Sequence, residues 1–591
     1  MATRYTNLDT IKFLMHQVHG SADILGKGRF AAYDQSAVDM FLDAVKDFSD
    51  SELFPFIKEM DESPSIYADG KITIHPQFEK IFPKAAELGL VASFFDEEVG
   101  GLQMPAILFH TAYYILEAAN NHVSGYLGLT AGAANLIANF GSEELKSTYL
   151  EKMLSMEWSG TMCLTEPQAG SSLSDIVTTA TPQEDGTYKI NGQKIFISSG
   201  DQQFVDNIVH LVLARIDGAP AGTKGVSLFI VPKHQPTADG FTDNHVTTAG
   251  EFEKLGQRGY CTSHLVFEDS VGKLVGQPNR GLMYMFQMMN EARIATGRMG
   301  AGIASAAYYA SLEYAHERPQ GRKLTSSGSK DLAEEQTLII NHPDVKRMLL
   351  FQKAIVEGSL SLVVQASRYV DLEANAEGEE KERLNMLLEL LTPVVKTYPA
   401  EKGLESVSQG LQVLGGYGFC MDFILQQYYR DIRIISIYEG TTGIQSLDLL
   451  GRKVGLHDGK VLEWLAAEIQ PTIVAASQKA ELQPYAAQLT ENLGMVQQVL
   501  GGLMRYAKQG DFERYLADAT LFMDFFGTII IGWQWLKIAV AASDTGGDFY
   551  QGKVHTMKFF YKYELSRTKG LSKVILDELD LTVDMEIDYL D

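Results

Sequence analysis

The spacing of apolar residues changes twice along this chain, and each change restricts the fold more than any single motif. From about Ser36 to Trp158 apolar residues recur three and four apart, as in "AVDMFLDAVKDFSDSELFPFI" and "LTAGAANLIANFGSEELKSTYLEKML", the period that places one apolar stripe on a helix. Near Gly160 the pattern becomes short β-branched runs parted by Gly, Asp and Pro, among them "YKINGQKIFISSG", "NIVHLVLARID" and "GVSLFIVPK", which read as strands. The helical period returns in "NRGLMYMFQMMNEARIATGRMGAGIASAAYYASLEYAHERPQGR", where Gly297, Gly300, Gly302, Ala304 and Ala306 permit close helix contact. The expected fold class is mainly α with a central β domain.

These changes suggest a helical arm over 1–40, a helical domain over 41–158, a β domain over 159–275, a second helical domain over 276–455 and an appended helical domain over 456–591. A polar interval, "KLTSSGSKDLAEEQ", interrupts the second helical domain and reads as an exposed loop. At 591 residues the chain is too long for one hydrophobic core. Its net charge of -25 disfavours nucleic acid and anionic lipid as main partners, while a small anionic ligand could still be held by a few Arg side chains and backbone N–H groups.

Cys163, Cys261 and Cys420 stand far apart, and neither cysteines nor histidines show metal-ligand spacing, so no metal is expected. His316 and His342 read as helix-end residues. With no signal or transit pattern at the N-terminus, a cytoplasmic location is expected. The most apolar run, "FFGTIIIGWQWL" (Phe525 to Leu536), is shorter than the roughly 20 residues of a spanning helix and reads as a buried helix, with surface contact with a membrane as the alternative.

Four stretches could carry chemistry. "MCLTEPQAGSS" offers small residues, hydroxyls and open backbone N–H groups near Gly170 and Ser171, and alone it is also an ordinary polar loop. "NGQKIFISSG" reads as a strand with Phe196 and Ser198 on one face and Ile195 and Ile197 on the other. "LQVLGGYGF" places glycines where backbone can approach a flat or phosphorylated ligand, with a plain loop as the equal alternative. "IYEGTTGIQ" holds a single carboxylate, Glu439, which local sequence alone allows as a first-turn acid at a helix N-terminus or as a base.

The order "LTEPQAGS", "KIFIS", "ERPQGR", "QVLGGYG" and "RIISIYEGTTGIQ" resembles the acyl-CoA dehydrogenase family of flavoproteins over roughly residues 40 to 455. The arm "YTNLDTIKFLMHQVHG", the segment "IINHPDVKRMLL" and the last helical domain are similar to an enlarged bacterial branch, which includes 3-methylmercaptopropionyl-CoA and broad-range fatty acyl-CoA dehydrogenases. The resemblance implies a helical domain, a β-barrel domain and a four-helix domain with one FAD per subunit. The implied reaction is oxidation of an acyl-CoA to a trans-2-enoyl-CoA, as in fatty-acid β-oxidation, with electrons leaving to electron-transferring flavoprotein. An acyl-CoA oxidase, or an idle DNA-binding flavoprotein of the same fold, would share these motifs.

By position the resemblance puts Met162, Leu164, Thr165, Gly170 and Ser171 on the flavin and its pyrophosphate, and Phe196, Ile197 and Ser198 beside its ring. Arg318, Gln320, Gln412, Gly415 and Gly416 would reach the FAD of a neighbouring subunit in a homodimer or tetramer, and Thr441 and Thr442 would also touch flavin. Glu439 would be the base that removes the α-proton, with Ser171, Asn290, Arg293, Tyr438 and Gly440 around the substrate. Arg293 could equally pair with CoA or hold a local carboxylate. Three positions depart from the family pattern: Ser172 and Asn290 replace acids, and Phe196 replaces the commoner Trp. A glutamate with an ordinary pKa near 4.3 is a poor acceptor for a thioester α-proton, so burial that raises it is expected.

Overall fold

The computed structural model describes residues 3–579 and 581–591, and of residues 286–290 the helical backbone alone. Asn290 therefore lies outside the described side chains. Contacts divide the chain into two compact units, Ser36–Ala292 and the chain through Gln35 together with Arg293–Asp591.

In chain order the helices used below are α1 (Leu8–Phe13), α2 (Ala106–Ala119), α3 (Ser124–Phe140), α4 (Gly281–Glu317), α5 (Pro343–Ala374), α6 (Gly378–Leu414), α7 (Thr442–Gly451), α8 (Gln483–Lys508) and α9 (Ala519–Ala542). The strands are β1 (Trp158–Cys163), β2 (Thr179–Pro182), β3 (Tyr188–Ser198), β4 (Asn207–Ile216), β5 (Val226–Pro232), β6 (Val246–Glu251) and β7 (Thr262–Leu274).

In the unit Ser36–Ala292, every residue of α2 is buried, as expected of a helix with no polar face. Helix α3 packs on β1: the Gly160 N–H donates to Thr130 Oγ1 at 3.0 Å, and a Cβ at Gly160 would stand 2.7 Å from that of Ala133. The strands β4, β5, β7, β3 and β2 pair in a closed ring, with β1 parallel to β4 and β6 antiparallel to β7 on the outside. Closure leaves no free edge on the five ring strands. Val212, Ala214, Phe229, Val231, Leu265 and Phe267 are among the side chains that fill its interior.

In the other unit, α6 lies along α5 and against the second half of α4. Pro399 lies inside α6 and lacks the N–H that would bind the Val395 carbonyl one turn back. Gly297 of α4 sits against that carbonyl, where a Cβ would be 1.9 Å from the oxygen. Helix α9 docks on α5 through Trp535, whose Nε1–H donates to the Ala354 carbonyl at 2.9 Å.

The apolar run at Phe525 to Leu536 belongs to a 24-residue helix, longer than the run because residues 519–524 precede it and residues 537–542, mostly Ala, Ile and Val, follow it. Both α5 and α9 are long and apolar enough to cross a membrane, yet 89% and 83% of their most apolar windows are buried within the protein. The interval from Lys323 to Gln336 is an exposed loop between α4 and α5. His316 ends α4, and His342 caps α5.

Candidate active site

Glu439 precedes helix α7 by two residues and does not lie in its first turn. The helix starts after Thr441, whose hydroxyl oxygen accepts from the Ile444 N–H at 3.3 Å as an N-cap. Thr442 donates its hydroxyl to Glu401, and Gln445 donates Nε2–H to the Glu439 carbonyl at 2.9 Å. Gly440 stands at φ 84°, where a residue with a Cβ is strained, and a Cβ there would displace Gln445 Nε2, 2.6 Å away. The capped helix and the Gln445 bond together hold Glu439 at φ 54°, left-handed backbone that a residue with a Cβ rarely adopts.

The Glu439 carboxylate has no hydrogen bond or direct ion pair among the described residues. The residue is half-buried, and protein atoms crowd the carboxylate. That loss of water raises its pKa above the ordinary carboxyl value, and the positive charges of Arg293 and Lys396 oppose the rise. Arg293 is buried in α4 and gives Nη1–H to Asp448 of α7 at 3.1 Å. Of the two roles open to Arg293, holding a local carboxylate is the one the geometry displays. Tyr438 is half-buried, its hydroxyl 3.6 Å from Met299 Sδ.

A second feature of this unit is a cleft of about 480 Å³ lined by Arg318, Gln320, Gln412, Gly415, Gly416, Tyr417 and Cys420, among others. It gathers all five residues assigned by resemblance to a neighbour's cofactor. Arg318 lies over the Tyr417 ring, 5.6 Å from its centroid. Gly415 ends α6 at φ 61°, and open space surrounds the place of a Cβ on both Gly415 and Gly416, so a ligand can reach bare backbone there.

In the unit Ser36–Ala292, Thr161 and Cys163 of β1 point inward, while Met162, Leu164 and Thr165 form a half-open row that continues to exposed Gly170 and Ser171. Beneath the row is a fully buried ion pair: Lys194 Nζ lies 2.7 Å from Glu166 and also donates to the Leu164 carbonyl at 3.1 Å. Glu166 further accepts from the Thr178 hydroxyl and the Val177 and Thr178 N–H groups, which fixes the loop from both sides. Ser172, where the family has an acid, donates to Asp175 at 2.6 Å.

The simple alternation expected in β3 is corrected by a bulge. Ile195 and Phe196 together oppose His264 of β7, and Phe196 takes φ 57°. The extra residue reverses the faces. Lys194 and Ile197 turn inward, Ile195 does not share the face of Ile197, and Phe196 is 56% exposed. Ile197 belongs to the barrel core, so its side chain is unavailable to a cofactor and only its backbone remains. Phe196, tilted 38° to the Phe252 ring with centroids 4.5 Å apart, presents an aromatic surface suited to a flat heterocycle. Ser198 is half-buried beside it.

Sequence reading missed Lys396, Glu401, Gln445 and Asp448 around Glu439. A signal existed for Lys396, the lone cation in the apolar stretch "LLTPVVKTYPAE".

Comparison with known proteins bears on the family and the fold. The chain matches the acyl-CoA dehydrogenase N-terminal domain over residues 36–157, the middle domain over 161–270, the C-terminal domain over 279–454, and an acetyl-CoA dehydrogenase C-terminal-like domain over 465–586. It is 38% identical to a 3-methylmercaptopropionyl-CoA dehydrogenase of Ruegeria pomeroyi over 520 residues, 87% of either chain. It is 34% identical to a broad-specificity linear acyl-CoA dehydrogenase of Mycobacterium tuberculosis, covering 98% of this chain and 97% of the relative. An acyl-CoA dehydrogenase of Bacillus anthracis, solved with FAD, shares the fold at a TM-score of 0.74 and 22% identity over 95% of this chain and 90% of its own. The chain belongs to the acyl-CoA dehydrogenase family of FAD-dependent oxidoreductases, in a form that carries an extra C-terminal helical domain.

Proposed function

We propose that the protein oxidises a saturated fatty acyl-CoA, or a sulfur-containing acyl-CoA such as 3-methylmercaptopropionyl-CoA, to its trans-2-enoyl-CoA, with Glu439 removing the α-proton. The observation that carries this reading is the Glu439 carboxylate, held in strained backbone, partly withdrawn from water and without a direct partner among the described residues. A base so placed has a higher pKa and no hydrogen bond to break before it accepts a proton. The bound FAD supplies the hydride acceptor.

Met162, Leu164, Thr165, Gly170 and Ser171 form the lip proposed for flavin and pyrophosphate, with the Phe196 ring, the Ile197 backbone and Ser198 alongside. Thr441 and Thr442 stay as further flavin residues, although both hydroxyls already have protein partners. The Arg318, Gln320, Gln412, Gly415 and Gly416 cleft suits the anionic part of a dinucleotide, and we assign it to the FAD of a second subunit, which makes the working enzyme a homodimer or tetramer. Tyr438, Gly440 and Ser171 are assigned to the substrate. Arg293 acts through Asp448 and Glu439. Electron-transferring flavoprotein is the proposed acceptor and the cytoplasm the proposed location; family membership supports the first, and the -25 charge with largely buried apolar helices fits the second.

The two relatives differ in the acyl group their names specify, so the substrate is best fixed by anaerobic titration of the flavin with straight-chain acyl-CoAs and 3-methylmercaptopropionyl-CoA. In the same assay Glu439→Gln should retain FAD and slow flavin bleaching by about 10²- to 10⁴-fold. Bleaching at the wild-type rate in that variant excludes Glu439 as the base.

A further inference from the structure

The charged groups around Glu439 do not pair evenly. Arg293 is bonded to Asp448 at 3.1 Å, and Lys453 is paired with Glu389. Glu401 receives the Thr442 hydroxyl. This leaves Lys396 of α6, whose side chain is 0% exposed and whose Nζ has no hydrogen-bond partner among the described residues. A lysine stripped of water and given no partner is costly to keep charged. It remains in the fold only where something nearby compensates.

The charged groups that act on Lys396 are Glu439 from the turn before α7, Glu401 one turn along α6, and Arg293 from α4. The two carboxylates favour its charge, and Arg293 opposes it. Helix packing fixes the arrangement: a Cβ at Gly297 would stand 3.3 Å from Lys396 Cα, so α4 and α6 meet backbone to backbone one turn from Arg293.

We propose that Lys396 is a positioning residue for the reaction, the buried counter-charge that keeps the Glu439 carboxylate ionised before substrate binds and so sets the pH below which proton abstraction fails. The inference rests on Glu439 being the base. When Glu439 accepts the α-proton its charge disappears while Lys396 keeps its own proton, so the cation that stabilised the resting carboxylate also limits how strong a base it becomes. Burial brings the Lys396 pKa down to about 8, which leaves it charged at neutral pH.

The test uses FAD-loaded enzyme and a straight-chain acyl-CoA, following anaerobic flavin reduction from pH 5.5 to 9.5 in wild type, Lys396→Met and Lys396→Arg. Loss of a nearby positive charge should move the acid limb of the rate profile upward by about one pH unit in the Met variant, with a plateau at high pH no lower than wild type. Arg, though larger, should restore the limb more fully than Met; a merely structural role predicts the opposite order. A second reading, independent of turnover, is the thermal midpoint of the FAD-loaded enzyme from pH 7 to 10. Wild type should gain on Lys396→Met as pH rises through 8 and the buried charge is lost. An unmoved acid limb in a flavin-bound Met variant, or no change in the midpoint difference, overturns the role of Lys396 alone. Wild-type bleaching rates in Glu439→Gln overturn it together with the assignment of the base.

Discussion

Glu439 works against the fold in two ways, through its left-handed backbone and through a carboxylate partly withdrawn from water. The first costs about 1–3 kcal/mol. The second has a sign that follows from linkage. The folded pKa is raised, so between the ordinary carboxyl value and the folded value the native state binds more protons than the unfolded chain, and stability falls as pH rises across that window. The penalty is fully present once the pH exceeds the raised folded value. Glu439→Gln keeps the size of the side chain and removes the charge, so its thermal midpoint at pH 7 should exceed that of wild type, with the gap closing as pH falls toward the ordinary carboxyl range. A midpoint below wild type at pH 7 would contradict the desolvation of this group. Glu439 could be found in the sequence because "IYEGTTGIQ" keeps its neighbours contiguous. Lys396, Arg293 and Asp448 could not be grouped with it, because their meeting depends on how three helices are rotated, and apolar periodicity determines that only to within a face.

At the scale of elements, the crossing of α4 and α6 is built on missing atoms. Pro399 removes a donor from α6, and Gly297 removes a side chain from α4, so the freed Val395 carbonyl and the facing helix can approach. Gly300 is close to the Pro399 carbonyl in the same way, a Cβ there lying 3.1 Å from the oxygen. Gly297→Ala should therefore lose about 1–3 kcal/mol through overpacking against backbone, despite the roughly 1 kcal/mol that alanine ordinarily gains over glycine inside a helix. Gly494 of α8 is the control, since nothing lies within 4 Å of its would-be Cβ; Gly494→Ala should be neutral or stabilising by up to about 1 kcal/mol. Denaturant unfolding of the two variants gives both signs, and equal effects would refute the close crossing. The small residues of α4 announced this contact in the sequence. The bulge at Phe196 had no such signal, because one extra residue at positive φ changes the faces of a strand without changing its composition.

At the scale of the whole unit formed by the chain through Gln35 and Arg293–Asp591, a buried polar chain links the N-terminal arm to α5 and α9. His19 Nε2 lies 2.9 Å from Ser361 Oγ, Ser361 donates to Gln534 Oε1 at 2.9 Å, and Lys537 Nζ reaches His19 Nδ1 at 3.2 Å and Gln365 at 2.8 Å. With Lys537 donating to Nδ1, the imidazole must be neutral and carry its proton on Nε2. Burial, with Lys537 and Arg368 nearby, depresses the His19 pKa well below its ordinary value. Burial also lowers Lys537 to about 7, helped by Arg368 and opposed by Glu468. Both groups have folded pKa values below their unfolded ones, so the unfolded chain binds more protons in each window and stability is lost as pH falls. For Lys537 that window runs from about 10.4 down to about 7; for His19 it opens near 6.5 and extends downward. Acidification from pH 7 to 5 should therefore loosen the arm before the rest of the unit, seen as lower protection against deuterium exchange, after correction for the pH dependence of intrinsic exchange, in α1 and the turn Leu14–Val18 that follows it. His19→Gln preserves one donor and one acceptor without an ionisable ring and should suppress much of that acid-dependent loss of protection, while Lys537→Met should flatten the rise in thermal midpoint between pH 7 and 10. Corrected protection in the arm that is independent of pH in wild type would show that the His19 and Lys537 contacts do not hold it in place.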